Sequence, residues 1–133
     1  MKLSPSSEAK LKGVHPSLVK VIRRAAVDWK DTELTWIITC GPRTVAEQKL
    51  LVAKGASKTM NSRHIPGKDG YSKAVDVAMV LKGKLKWDWP LYAKMAEAMQ
   101  AAASKEMVPI EWGGSWKSFK DGPHYQLPKN LYP

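Results

Sequence analysis

The stretch Ala74-Val-Asp-Val-Ala-Met-Val80 constrains this chain more than any other. Its residues alternate with the two-residue period of a strand, so Val75, Val77 and Met79 share one face and Asp76 stands on the other. A lone carboxylate in so apolar a segment is costly to bury. An arginine, solvent or a metal ion must compensate it, and a paired aspartate inside a core is the commoner case.

The segments around this strand carry their own signals. Leu18, Val21, Ile22, Ala25, Ala26 and Trp29 recur at helical spacing and predict a helix from about Pro16 to Trp29. Leu34-Thr-Trp-Ile-Ile-Thr-Cys40 reads as a buried strand stopped by Gly41-Pro42, with Cys40 a small core residue. Thr44-Val-Ala-Glu47 has capping-box spacing and opens a second helix that Gly55 closes. No period holds from Ser57 to Lys73, which is therefore a loop. Gly83 marks a turn before Leu85-Lys-Trp87, and Asp88 with Pro90 starts a third helix with an apolar stripe of Leu91, Met95, Ala98, Met99 and Ala102. From Val108 onward the chain is short extended pieces joined by Gly and Pro turns. Helices and strands mixed without a regular βαβ rhythm predict an α+β fold, one domain over residues 1–133, with no repeat or linker.

Composition narrows the partners. A net charge of +10 attracts polyanions, whether nucleic acid, anionic membrane or cell-wall polymer. The cations are spread along the chain, and the aromatic-plus-basic signatures of common nucleic-acid folds are missing, so no nucleic-acid partner is expected. No apolar run approaches the length of a membrane span, so no stable membrane insertion is expected. One cysteine excludes an internal disulfide and a multi-cysteine zinc finger. Met1-Lys2-Leu3-Ser4-Pro5 lacks the apolar stretch of a secretory signal, so export is not expected. No exposed apolar stripe stands out, and a monomer is the expectation.

Three histidines are few enough to weigh singly. His15 precedes Pro16 and reads as a surface or capping residue; His64 and His124 lie in the long loop and the turn-rich tail, where functional residues concentrate. Two neutral imidazoles and one carboxylate, with a fourth position left for water, make the usual catalytic zinc arrangement. On the residues alone Arg43 is a turn arginine or the partner of a buried carboxylate. Trp29 and Trp36 fit packing positions, while Trp112 and Trp116 flank a Gly-Gly turn and serve either packing or a groove.

Ser62-Arg63-His64, then Ala74-Val75-Asp76, then Glu111-Trp-Gly-Gly-Ser-Trp116, then Asp121-Gly-Pro-His-Tyr-Gln126 resemble, in this order, the motifs of the M15 metallopeptidases. That family joins D-Ala-D-Ala carboxypeptidases and dipeptidases with phage L-alanyl-D-glutamate endopeptidases, and the likeness is nearest to the last group. It runs from about His15 to Leu127. The resemblance implies a hedgehog/DD-peptidase-like domain, helices on a small antiparallel sheet, with Zn2+ held by His64, Asp76 and His124. It implies Asp121 as the acid or base, with Glu111 a lesser candidate, and Arg43 on the substrate carbonyl and its developing oxyanion. Ser62, Glu111 and Trp112 would meet the substrate. That substrate would be the stem peptide of bacterial peptidoglycan, cut between L-Ala and D-Glu. An endolysin of this kind would stay in the host cytoplasm until lysis, then act in the periplasm and cell wall. A D-Ala-D-Ala carboxypeptidase on the same site, or a non-catalytic basic module with structural histidines, are the competing readings. Eleven residues separate His64 from Asp76, more than the family's usual spacing, and Ser72 stands where its motif has glycine. The extra residues fall in 66–72, which raises the question of whether Asp69 joins the site.

Overall fold

The computed structural model describes residues 1–133. In chain order the elements are α1 (Pro5–Lys10), α2 (Pro16–Asp28), β1 (Leu34–Cys40), α3 (Val45–Ala53), β2 (Ala74–Leu81), β3 (Lys84–Lys86), α4 (Trp89–Glu106), β4 (Glu111–Trp112), a 3-10 turn at Gly113–Ser115, and β5 (His124–Gln126). The sheet runs β1-β2-β5-β4 with every pairing antiparallel. The short β3 pairs with residues 79–81 of β2, so β3 and β5 lie end to end along one edge of that strand. The expected α+β arrangement, helices on a small antiparallel sheet, is what the chain adopts.

One face of β2 makes the core. Val75, Val77 and Met79 are buried with the stripe Leu18, Val21 and Ile22 of α2 and with Met95, Met99 and Ala102 of α4. Each such large side chain contributes roughly 1.5–3 kcal/mol relative to leaving it in water. Trp29 and Trp36 meet edge to face at 6.4 Å, and the Trp29 indole donates to the Leu34 carbonyl. Pro16 opens α2 behind His15, whose Nδ1 accepts the Ser17 N–H. His15 is thus the capping residue expected of it.

Several details differ from the sequence reading. The helix α1 was not foreseen; Ser4 caps it, Pro5 begins it, and the Ser7 hydroxyl accepts the Ile38 N–H on the outer edge of β1. Asp88 precedes α4 but makes no capping hydrogen bond. The buried face of α4 includes Tyr92, Ala96 and Ala103, while Leu91 and Ala98 are only partly buried. The helix α3 has its expected capping box between Thr44 and Glu47, yet the one residue it buries is polar, Gln48. Cys40 is not a core residue. Pairing shifts between Ile38 and Cys40, and this bulge leaves Cys40 half-buried opposite Asp76.

Candidate metal centre

Register across three strands assembles most of the site. Cys40 of β1 and His124 of β5 both stand opposite Asp76 of β2. Residues directly opposite in neighbouring strands project to the same face, so the row Cys40–Asp76–His124 lies away from the Val75 and Val77 core. His64 enters from the 57–73 loop. The loop is fastened there by the Arg43 N–H on the His64 carbonyl and the Lys73 N–H on the Arg63 carbonyl, both within 2.9 Å. Gly41 must stay small, because a Cβ would run into the Lys10 carbonyl.

The two imidazoles are held in the same way. His64 Nδ1 lies 2.9 Å from the Gly41 carbonyl, which accepts its N–H and leaves Nε2 facing Asp76 Oδ1 at 3.3 Å. His124 Nε2 lies 2.7 Å from Gln126 Oε1, which leaves Nδ1 facing the same Asp76 oxygen at 3.2 Å. The rings stand 5.2 Å apart, centroid to centroid. A metal-binding histidine is ordinarily oriented by such an outer acceptor on its second nitrogen, so the donor set fits a metal ion. Two trios bring their ligand atoms within 4.8 Å of one another, Cys40–His64–Asp76 and Asp76–Asp121–His124. Asp76 is common to both, and its side chain is still 22% exposed.

Hydrogen-bonded charges offset the cost of burying this cluster. Burial alone would raise the Asp76 carboxyl, but hydrogen bonds from His124 and His64 outweigh it and hold Asp76 well below the usual carboxylate range. Burial would lower His64; its bonds to Asp76 and Cys40 reverse this and lift it to about 10. A metal ion binds the deprotonated imidazole, so a proton on His64 must leave when an ion binds.

The remaining polar groups converge on a cleft of about 290 Å³ lined by Arg43, Ser62, His64, Asp76, Trp116, Asp121 and His124 among others. Burial raises the Asp121 carboxyl, and the negative charge of Asp76 raises it further. Its backbone N–H donates to the Gly113 carbonyl at 3.0 Å, and a Cβ on Gly113 would collide with the Asp121 carbonyl, so this glycine sets where Asp121 sits. Arg43 Nη1 donates to Gln48 Oε1 at 2.8 Å, while Nη2 lies 3.8 Å from Asp76 Oδ2. Gln48 in turn donates to Ser57 Oγ and the Thr59 carbonyl, tying α3 to the loop. The Ser62 hydroxyl accepts the His64 N–H.

Some expected residues lie elsewhere. Trp112 is not in the cleft wall; its indole donates to the Gly122 carbonyl at 2.7 Å and packs against Gly114. Trp116 is there instead, its ring 5.2 Å from that of His124. Glu111 is outside the lining and meets Gln126 from behind, at 3.4 Å. Asp69 does not join the cleft either, because it pairs with the buried Lys73 at 2.6 Å. Ser72 has no left-handed backbone, so its position does not require glycine; it bridges to Val14 instead. Gln48, Gln126 and Cys40 escaped the sequence reading. Gln126, two residues beyond the motif histidine on the same strand, is the one that two-residue alternation could have placed on the same face.

Known proteins resemble this chain over most of its length. A family model described as phage L-alanyl-D-glutamate peptidase matches residues 1–127. The L-alanyl-D-glutamate peptidase of Listeria phage A118 is 34% identical over 109 residues, 81% of this chain and 36% of that protein. The peptidoglycan L-alanyl-D-glutamate endopeptidase CwlK of Bacillus subtilis is 30% identical over 102 residues, 71% of this chain and 61% of that one. The chain thus spans about a third and three fifths of these curated relatives. The crystal structure of the Serratia marcescens L-Ala D-Glu endopeptidase ChiX superposes with a TM-score of 0.86 at 39% identity, covering 100% of this chain and 94% of that one.

Proposed function

The chain belongs to the phage L-alanyl-D-glutamate peptidase family, and from that premise we propose that it is a zinc-dependent endopeptidase that cuts the L-Ala–D-Glu bond of peptidoglycan stem peptides. The observation that carries this reading is the pair of histidines, each tied behind to an acceptor and turned toward one carboxylate, beside a raised carboxyl and a fixed arginine. His64, Asp76 and His124 would hold the ion, which when bound supplies Lewis acidity to water and to the scissile carbonyl.

The chain's own groups supply the rest. Asp121, lifted by burial and by Asp76, accepts the proton of the attacking water and returns one to the leaving amine. Arg43 is held by Gln48 through one guanidinium nitrogen and by Cys40 through the other, on the cleft wall, where it stabilises negative charge on the former carbonyl oxygen. Ser62 sits on the rim, shared with a larger groove that continues past Asn61, Arg63 and Gln126, so a substrate chain has room to run on from the cleft. That continuity supports cleavage within a chain over removal of a terminal residue. The positive surface suits an anionic wall polymer, whose attraction weakens as salt screens it.

The test is hydrolysis of purified peptidoglycan by metal-free and zinc-restored protein, with the new amino termini identified. Zinc-dependent appearance of D-Glu amino groups supports the proposal. Release of D-Ala instead would move the bond to the stem terminus, and no cleavage with no retained zinc would refute the enzyme.

A further inference from the structure

Every residue from Lys82 to Pro90 is exposed. Within this run Leu85, Trp87 and Trp89 are 51%, 56% and 48% exposed, so three large apolar side chains stand in water next to Lys82, Lys84 and Lys86. The tight turn at Lys82 and Gly83, both at positive φ, throws this short hairpin outward from the sheet. Large apolar side chains exposed so close together on a small fold mark an interaction surface.

Its position relates it to the cleft. Leu85 stands opposite Val80 and His124 opposite Asp76, on the same edge of β2 and the same sheet face, four residues or about 13 Å apart along the strand. A chain of ring contacts covers the interval. Trp87 and Trp89 lie 6.4 and 5.9 Å from Tyr92, and Trp89 lies 6.4 Å from Trp112. Trp112 then bonds the carbonyl of Gly122, the residue after Asp121.

We infer that the Leu85–Trp87–Trp89 patch with its flanking lysines is a docking platform for the amino-sugar strand to which a stem peptide is attached. This rests on the proposed reading of the cleft. Flat indole faces suit the C–H faces of pyranose rings, and the lysines suit the carboxylates of the stem peptides that such a strand bears. A bilayer fits less well, because Asp88 separates the two indoles and the rings lead toward the cleft wall.

The experiment uses the full chain and a peptide-free N-acetylglucosamine oligomer, with binding followed by tryptophan fluorescence. The oligomer binds the unaltered protein; Trp87→Ala weakens binding about tenfold, a loss of roughly 1.4 kcal/mol, whereas Trp87→Phe keeps most of it. On intact wall, Trp87→Ala raises the half-saturating concentration about tenfold relative to that for a soluble stem peptide, and Lys86→Glu raises it less. Equal shifts on wall and soluble peptide, or an oligomer that does not bind, overturn the platform. So does loss of binding to phosphatidylglycerol vesicles or of self-association in Trp87→Ala with oligomer binding intact. Failure of the unaltered protein to cut any stem peptide refutes the cleft reading, and the oligomer titration still decides the platform.

Discussion

Lys73 and Asp76 are three residues apart, both are charged, and the fold answers them in opposite ways. The Lys73 side chain is 2% exposed, and its ammonium group is satisfied by Asp69 at 2.6 Å and by the Tyr71 carbonyl at 2.8 Å. All three groups come from one short stretch of loop, and the cluster closes on itself. Asp76 instead gathers His124, His64 and Arg43 from three separate parts of the chain and still opens on the cleft. A charge balanced by its near neighbours anchors a loop. A charge surrounded by several donors from distant elements, and reachable from outside, is prepared for a cation or a substrate.

Breaking the open cluster should have the largest effect. Asp76→Asn removes the group shared by both metal-capable trios; zinc content by atomic absorption and peptidoglycan hydrolysis should both fall to background. Asp121→Asn should lower turnover by about 10²–10⁴-fold while zinc content stays near one equivalent; near-normal turnover would remove Asp121 from the acid–base role. Gln126→Leu leaves His124 without its outer acceptor and should weaken zinc affinity by about 10–100-fold, read by competition with a chelator.

A pH comparison sharpens the contrast. In metal-free protein His64 is raised from 6.5 to about 10, so the stability it contributes is full below pH 6.5 and lost as pH climbs through 10. Asp76 is depressed, so its share is present above the ordinary carboxylate value of 3.8 and is lost only in stronger acid. Thermal unfolding of metal-free protein should therefore show an alkaline decline that zinc-loaded protein lacks, since zinc takes the deprotonated imidazole. An identical decline in both would mean that His64 is not a ligand. The smallest effect belongs to the closed cluster. Asp69→Asn should lower the unfolding temperature modestly and leave zinc affinity and turnover unchanged; any loss of zinc would return Asp69 to the site.

How much of this was legible follows from how local each signal is. The period of α2, the capping box of α3 and the alternation around Asp76 depend on neighbours in sequence, and each appears where it was expected. Motif order brought His64, Asp76, Asp121, His124, Arg43 and Ser62 forward, and the structure gathers them in one cleft. Cys40 was misread because a bulge, which leaves no mark in composition, turns it from the core toward Asp76. Trp112, expected at the substrate, bonds Gly122 while Trp116 meets the cleft, because the 3-10 turn between them decides which ring faces it. Gln48 and Gln126 act through hydrogen bonds that the folded loop and strand bring to them, and a carboxamide alone does not announce that.

The small helix α1 has one more effect, on what happens when many copies meet. A sheet ends safely only if its last strand offers no free row of N–H groups to a neighbour. Here the Ser7 hydroxyl occupies the Ile38 N–H, and Ser4 in turn donates to Ser7. Two serines near the start of the chain thereby blunt the edge along which molecules would otherwise add strand to strand. Tolerance of crowding rests on them: Ser7→Ala would leave the site's geometry in place and show its cost as aggregation at high protein concentration.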